Sequence, residues 1–454
     1  MKKTLLTVIS VLLLVAMIAI CFPSCEKQPQ KKKQNEPDFK QSEYVSFNVD
    51  LNKDGTLKIL QVTDAHFINS EAKNTKKVED DLKLRDEWAE TAITTLIEES
   101  DPDLLAITGD VVFTLDLISY FTGTDDNFAA FKKFALFIDS FDIPWFFCFG
   151  NHDEEGSLAE EMGSADAAKR KMGKYLCSSE IKNCLFAAGP ENINGVGNYV
   201  INVLNPDKSV NTSLVVFDSG SYIKVYDEEL KRYFADQRKY EYVHDDQLDW
   251  YEAAIRDISA IEGHLVPSIV FQHIPFPTFD TVVNAFIDAL DRPWQEVINV
   301  EHKYGEEVTL ETNVGPITYH GGIYEDVPPC CSFIGTFTYH DGKYSITYDG
   351  GHEFERIVSL GSTKHVFCGH DHRNTFSFTY EGVRLTYGMS IDYSANGLLP
   401  DWLAENQTIY KDTQQRGGTL ITIHGDSSVT IDQVPFTTDL YAAAVNASKK
   451  GSKK

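Results

Sequence analysis

The 454-residue sequence predicts an α/β fold built on a sheet with parallel strands. Three observations carry this expectation. Short apolar runs without strict alternation, such as Trp145 to Phe149, read as strands buried on both faces. Between them lie segments with apolar residues at helical spacing. The order strand, helix, strand, helix, strand from Leu57 to Asp153 then calls for right-handed crossovers.

Folded structure is expected from about Val45. "LKILQVTDAHF" (57–67) reads as a strand with its C-terminal loop. In "DLKLRDEWAETAITTLIEES" Leu84, Trp88, Thr91 or Ala92, and Thr95 or Leu96 fall near one helical face. "PDLLAITGDVVF" gives a second strand. "NFAAFKKFALFIDSF" repeats the helix, with Phe128, Phe131, Ala135 and Ile138 on one side, and "IPWFFCFGNHD" repeats the strand. Residues 154–242 read as a less regular elaboration that contains the apolar run "TSLVVFDSGSY". "HDDQLDWYEAAIRDISA" reads as a helix capped by an Asp, and "VPSIVFQHIPFP" as a further strand. Residues 301–333, with paired Gly, Pro and Cys, read as loop. "KHVFCGHDHRNTFSFTYEGVRLTYG" gives a strand, a loop and antiparallel strands, and "GGTLITIHGDSSVTIDQVPF" alternates as a hairpin does.

The formal charge is −27, from 41 basic and 68 acidic residues, which disfavours an extended nucleic-acid surface. A small anionic substrate remains compatible, because a bound metal reverses the local sign. Met1-Lys2-Lys3 followed by "TLLTVISVLLLVAMIAICFPSC" reads as an export leader, with an uncleaved anchor as the alternative. The Cys and the Lys- and Gln-rich segment after it resemble the lipid-modification site of bacterial lipoproteins. The expected organisation is a signal peptide over 1–24, a polar linker over 25–44, one folded domain over 45–440 and a tail over 441–454. The mature protein would then be exported and held to a membrane by lipid at Cys25, in the periplasm or at the cell surface. Eight cysteines are too few for a disulfide scaffold in a chain of this length. Cys148 and Cys368 read as buried hydrophobes, whereas a bridge between Cys177 and Cys184 is compatible with export.

Five of the apolar segments end alike. Each runs into Asp, Asn or His: Asp64-Ala65-His66, Gly109-Asp110, Gly150-Asn151-His152-Asp153, Gln272-His273 and Gly369-His370-Asp371-His372. Ligands of open α/β sheets gather at the carboxyl ends of strands. A lone Gly-Asp or Gln-His is usually structural, but the ordered set of carboxylates, one amide and imidazoles suits a pair of divalent ions. Mn, Fe and Zn fit better than Mg. Ions about 3.5–4 Å apart would hold a hydroxide and clamp a phosphoryl group.

The ordered set resembles the signature of the calcineurin-like metallophosphoesterases over roughly residues 57–388. The resemblance implies a four-layer αββα sandwich of two mixed sheets flanked by helices, in place of a single doubly wound sheet. It also implies two divalent metal ions, one held by Asp64, His66 and His372 and the other by Asn151, His273 and His370, with Asp110 bridging. His152 would contact the phosphoryl oxygen or assist the leaving group. Within the family the chain looks closest to non-purple relatives of the purple acid phosphatases. Phe113 stands where the purple members carry an iron-binding Tyr, so no visible charge-transfer band is expected.

The leading expectation is a phosphomonoesterase acting on a small phosphate ester through a dinuclear centre. The alternatives are a phosphodiesterase acting on a small or lipid-headgroup substrate, and a non-catalytic, membrane-tethered binding module. A serine hydrolase is disfavoured by the lack of a Gly-x-Ser-x-Gly elbow. Arg373 could reach a phosphate or sit in a surface ion pair. Oligomeric state is not legible in the sequence.

Overall fold

A computed structural model describes residues 41–72, 85–114, 124–156, 163–227, 231–290, 307–322, 336–340, 343–347, 352–372, 374–395 and 416–436. The leader, Cys25, most of the linker, the tail and Arg373 lie outside the described residues. Among those described, no helix is long and apolar enough to cross a membrane.

Two mixed sheets form the centre. Strands β1 (Val45–Asp50), β2 (Thr56–Val62), β3 (Leu104–Ile107), β4 (Trp145–Phe147), β5 (Tyr199–Leu204), β6 (Val210–Val216), β7 (Tyr222–Asp227), β8 (Arg232–Tyr240) and β9 (Ser268–Phe271) come first along the chain. After them run β10 (Val308–Thr312), β11 (Gly315–Tyr319), β12 (Thr336–His340), β13 (Lys343–Thr347), β14 (Thr363–Cys368), β15 (Ser377–Tyr380), β16 (Val383–Tyr387), β17 (Gly417–His424) and β18 (Val429–Pro435). One sheet has the order β18-β17-β2-β3-β4 and the other β1-β5-β6-β9-β14-β16-β15-β11-β10. The strands of a smaller sheet, β13-β12-β7-β8, pair with neither.

Helices α1 (Arg85–Ser100), α2 (Asn127–Asp139), α3 (Ala165–Leu176), α4 (Asp245–Glu262), α5 (Thr278–Asp288) and α6 (Glu353–Leu360) flank the sheets. The chain thus has the two-sheet sandwich with outer helices, not a single doubly wound sheet. The strand-helix-strand repeat of residues 57–147 is correct locally, since β2, β3 and β4 pair in parallel. It cannot reveal that β17, from the far end of the chain, closes that sheet antiparallel to β2.

Side-chain alternation explains why the central strands read as continuous apolar runs. Leu214, Val216, Ile269, Phe271 and Phe367 turn into the core between the sheets. Their neighbours Val215, Val270 and Val366 turn outward under α4, α5 and α6. Both sets are buried, as expected for strands covered on two faces. Phe146 meets Phe271 across the sheets at 5.0 Å between ring centroids, and Phe271 stacks on Phe367 at 5.3 Å.

Three expectations are corrected. Residues 154–242 are not merely an elaboration, because β5 and β6 are core strands of the nine-stranded sheet. Residues 308–319 are not loop but the β10–β11 hairpin at that sheet's edge. The cap of α4 is His244, whose N–H donates to Gln247 Oε1 at 2.8 Å, while Asp245 and Asp246 occupy the first turn. Cys177 and Cys184 are free thiols in the structure, and Cys148 and Cys368 are buried.

Candidate metal centre

The five polar strand ends meet where the two sheets abut. Asp64 and His66 follow β2, Asp110 follows β3, and Asn151 and His152 follow β4. The opposite sheet contributes His273 after β9 and His370 and His372 after β14. The ends are joined by Gly369 N–H donating to His273 O at 3.0 Å and Ile391 N–H donating to Thr63 O at 3.1 Å.

The glycine before Asn151 and the one before His370 have steric causes. A Cβ on Gly150 would overlap Asp110 Oδ1 and the Asp110 backbone nitrogen. A Cβ on Gly369 would overlap Thr63 Oγ1. Only residues without a Cβ let these loops approach closely enough to pool their side chains. Four members of the site, Asp64, His66, Asp110 and His370, have φ between 49° and 72°. Such backbone costs on the order of 1–3 kcal/mol per residue, and strain of this kind concentrates at functional sites.

Asp153, the last residue of the Gly-Asn-His-Asp run, braces two loops at once. Its carboxylate accepts N–H groups from Gly150 at 2.7 Å, Asp110 at 3.2 Å and Val111 at 2.9 Å. Burial and the neighbouring Asp110 charge push it up to about 7.

The side-chain atoms fall into two overlapping groups, one from Asp64, His66, Asp110 and His372, the other from Asp110, His273 and His370. Within each group the ligand atoms lie within 4.8 Å of one another. His273 Nε2 is 3.0 Å from Asp110 Oδ2, His372 Nε2 is 3.1 Å from Asp64 Oδ1, and His66 Nε2 is 3.7 Å from Asp110 Oδ2. Atoms bound ~2.1 Å from a common ion sit roughly 3.0–3.4 Å apart, which the His273 and His372 spacings match and the His66 spacing slightly exceeds.

Among the described residues, Asp64 Oδ1, His66 Nε2, Asp110 Oδ2, Asn151 Oδ1 and His273 Nε2 are buried without a hydrogen bond. Leaving five such atoms unsatisfied would cost about 1–3 kcal/mol each. Their convergence, and their restriction to oxygen and imidazole nitrogen, fits a pair of divalent ions.

The remaining atoms of these side chains are held by the protein. Asp64 Oδ2 accepts from Thr63 Oγ1 at 2.8 Å and from His370 N–H at 3.2 Å. His273 Nδ1 donates to Thr108 O at 2.8 Å, which leaves Nε2 facing the site. Asn151 Nδ2 donates to Tyr222 Oη at 2.8 Å, so its amide oxygen faces inward. Asp392 lies 2.9 Å from His66 Nδ1 and 3.1 Å from His372 Nδ1.

Electrostatics point the same way. Burial opposes charge on His273, but Asp110 and Asp64 outweigh it and raise the imidazole to about 9. His372 is likewise raised, against burial, by Asp64 and Asp392. His370 is the exception, pushed down to about 3 by burial and by His273. The field of the carboxylates therefore favours positive charge at the strand ends, and a cation entering would displace protons.

His152 stands at the mouth. Its side chain is 23% exposed, and its Nδ1 lies 2.7 Å from Glu155 Oε2. Its backbone N–H donates to Asp110 Oδ1 at 2.7 Å, fixing the residue relative to the centre. Burial lowers its pKa, but Asp110 and Glu155 outweigh that and raise it to about 9. Phe113 packs between the imidazoles, 5.2 Å from His66 and 5.0 Å from His152 by centroids, and offers no oxygen to the site.

Behind His273, Glu353 is buried and accepts a hydrogen bond from Gln272 Nε2 at 3.4 Å. Burial raises its carboxyl to about 8. The folded protein holds that proton between about pH 4.5 and 8 while the unfolded chain releases it, so stability falls as pH rises through this window. Glu353→Gln removes the penalty. Its melting temperature is expected to gain several degrees on wild type between about pH 5 and pH 8, measured by thermal denaturation at each pH.

A calcineurin-like phosphoesterase family profile matches residues 57–374, more than half of the chain. The chain belongs to that family. Among curated proteins it is 26% identical over 410 residues to Probable inactive purple acid phosphatase 14 of Arabidopsis thaliana, covering 86% of this chain and 81% of that protein. It is 28% identical over 364 residues to Probable inactive purple acid phosphatase 28 of the same plant, covering 77% and 73%. A solved dimetal phosphatase from Danio rerio superposes with a TM-score of 0.40 at 11% identity, over 84% of this chain and 97% of that one.

All eight residues singled out in the sequence lie in or beside this one cluster. Sequence reasoning missed Asp392, Tyr222 and Glu155, and gave Asp153 no role. Of these, only Asp153 carried a signal, its place in the Gly-Asn-His-Asp run.

Proposed function

We propose that this calcineurin-like phosphoesterase is a metal-dependent phosphomonoesterase acting on a small phosphate ester. The carrying observation is the convergence of the whole ligand set, with His152 held beside it. Asp64, His66 and His372 would hold one ion and Asn151, His273 and His370 the other, with Asp110 shared. Mn, Fe or Zn suits this mixture of carboxylate, amide oxygen and imidazole. When bound, such ions polarise the phosphoryl group and lower the pKa of an attacking water.

The chain's own groups do the rest. Asp110 keeps the two ligand groups in register through its Oδ2. His152, whose acid form Asp110 and Glu155 favour, would donate a hydrogen bond or a proton toward the leaving group. A dianionic monoester is the better charge match for two cations and a protonated imidazole, which favours it over a monoanionic diester. Phe113 beside the centre offers no phenolate to ligate iron, so no phenolate charge-transfer band is expected from that position.

The names of the two plant relatives support a second reading, a binding module without turnover. Metal analysis of the purified protein, with kinetics on an aryl phosphate monoester and a matched diester, separates the readings. We expect two ions per chain and a higher kcat/KM on the monoester. Two bound ions with no turnover of either substrate would sink the enzymatic reading and leave the binding one.

A further inference from the structure

Asp392 belongs to none of the five strand-end motifs. It sits on the loop after β16, only 4% exposed, and its carboxylate spans two imidazoles. His66 Nδ1 lies 2.9 Å from Oδ1 and His372 Nδ1 lies 3.1 Å from Oδ2. The two rings are 4.6 Å apart by centroids and steeply inclined at 68°. We propose that Asp392 is a positioning residue whose single carboxylate orients both imidazoles of one ion position, turning Nε2 of His66 and of His372 toward the ion. This rests on the two-ion reading above.

An ionised carboxylate only accepts hydrogen bonds, so each facing Nδ1 must carry the hydrogen and each Nε2 is the coordinating nitrogen. That is the side on which His66 and His372 approach Asp110 and Asp64. The loop is itself anchored. Ser394 and Ala395 donate backbone N–H groups to Asp392 Oδ1 at 2.9 and 2.7 Å. Arg416 Nε donates to the Asp392 carbonyl at 2.9 Å, and Ile391 N–H ties the loop to Thr63, one residue before Asp64. Partners of this kind fix the tautomer of ligating histidines, and their loss typically weakens metal binding about 10–100-fold.

The two oxygens have different duties, which separates this role from simple loop support. Oδ1 accepts the two loop N–H groups as well as His66, and Oδ2 faces His372. Asp392→Asn can keep an oxygen at the Oδ1 position and so preserve the loop. Its amide NH₂ then faces His372 Nδ1 and presents a donor where an acceptor is needed. Titrating metal-free protein with Mn(II) by calorimetry should show two ions on wild type. On Asp392→Asn one should bind roughly 10–100-fold more weakly and the other unchanged, with the metal-free melting temperature preserved.

Equal weakening at both positions together with a lower metal-free melting temperature would show loop support alone and overturn the proposal. So would two wild-type affinities on the variant. Wild type that binds no Mn(II) would instead refute the two-ion reading itself. Should the variant not fold, long-range ¹H–¹⁵N spectra of Zn-loaded wild type decide: protonated Nδ1 on both His66 and His372 supports the proposal, and an unprotonated Nδ1 on either overturns it.

Discussion

Asp110→Asn is expected to lose at least one ion per chain and almost all turnover, although the protein still folds. Asp110 Oδ2 belongs to both candidate ligand groups, so one substitution touches both. The change is nearly isosteric, and the His152 N–H can still find an oxygen at the Oδ1 position, 2.7 Å away in the native chain. What then faces the ions is an amide donor instead of an anionic oxygen. Breaking one partner of a buried charge pair costs about 3–5 kcal/mol, roughly 10²–10⁴-fold in affinity. Metal content by mass spectrometry after gel filtration, measured beside kcat, checks this. Two ions retained at wild-type affinity would remove Asp110 from the shared position.

His152→Ala should have the opposite signature, with both ions kept and kcat down by about 10²–10⁴-fold, the usual range for a lost general acid. The residue touches the centre through its backbone, while its ring points to Glu155 and the mouth. The pH profile adds a sign. His152 is raised above its usual value, so its acid form is present at neutral pH and is lost as pH rises through the folded pKa. Activity should therefore fall on the alkaline side. Bound cations offset Asp110 and move that limb below the value of about 9 set by the protein alone. Glu155→Gln removes a stabilising anion and should move it further down, while His152→Ala should abolish it. A metal-loaded His152→Ala protein with near-wild-type kcat/KM would leave the ring a packing role only.

The candidate ligands were legible in the sequence because each sits within a few residues of a strand end with its own local grammar. Gly150 and Gly369 are there to let backbones meet, and that requirement is written into the adjacent residues. Asp392 was not legible, because what gives it a role is contact with His66, 326 positions away, through a loop of ordinary composition. Tyr222 is similar: nothing near it signals that its hydroxyl will hold the Asn151 amide. The fold was half legible. Apolar runs reveal buried strands, but not which sheet a strand joins, since Val215 and Leu214 are equally buried on opposite faces. The β10–β11 hairpin was missed because β10 alternates between partly buried and exposed residues, as an edge does, and β11 adds just Ile317 and Tyr319 as buried positions.

The candidate ligands come from both sheets: Asp64, His66, Asp110 and Asn151 from one, His273, His370 and His372 from the other. Each ion would therefore act as a rivet through the sandwich. A rivet that comes and goes makes cohesion a function of its supply, because a ligand at about a hundredfold excess over its Kd adds roughly 2.7 kcal/mol to the folded state. Two of them could rival much of a typical domain's net margin of about 5–15 kcal/mol. Scarcity of metal would then loosen the seam between the layers as well as silence the chemistry. The same starvation that stops turnover would expose the molecule to unfolding and proteolysis, so that durability and activity draw on one external reservoir.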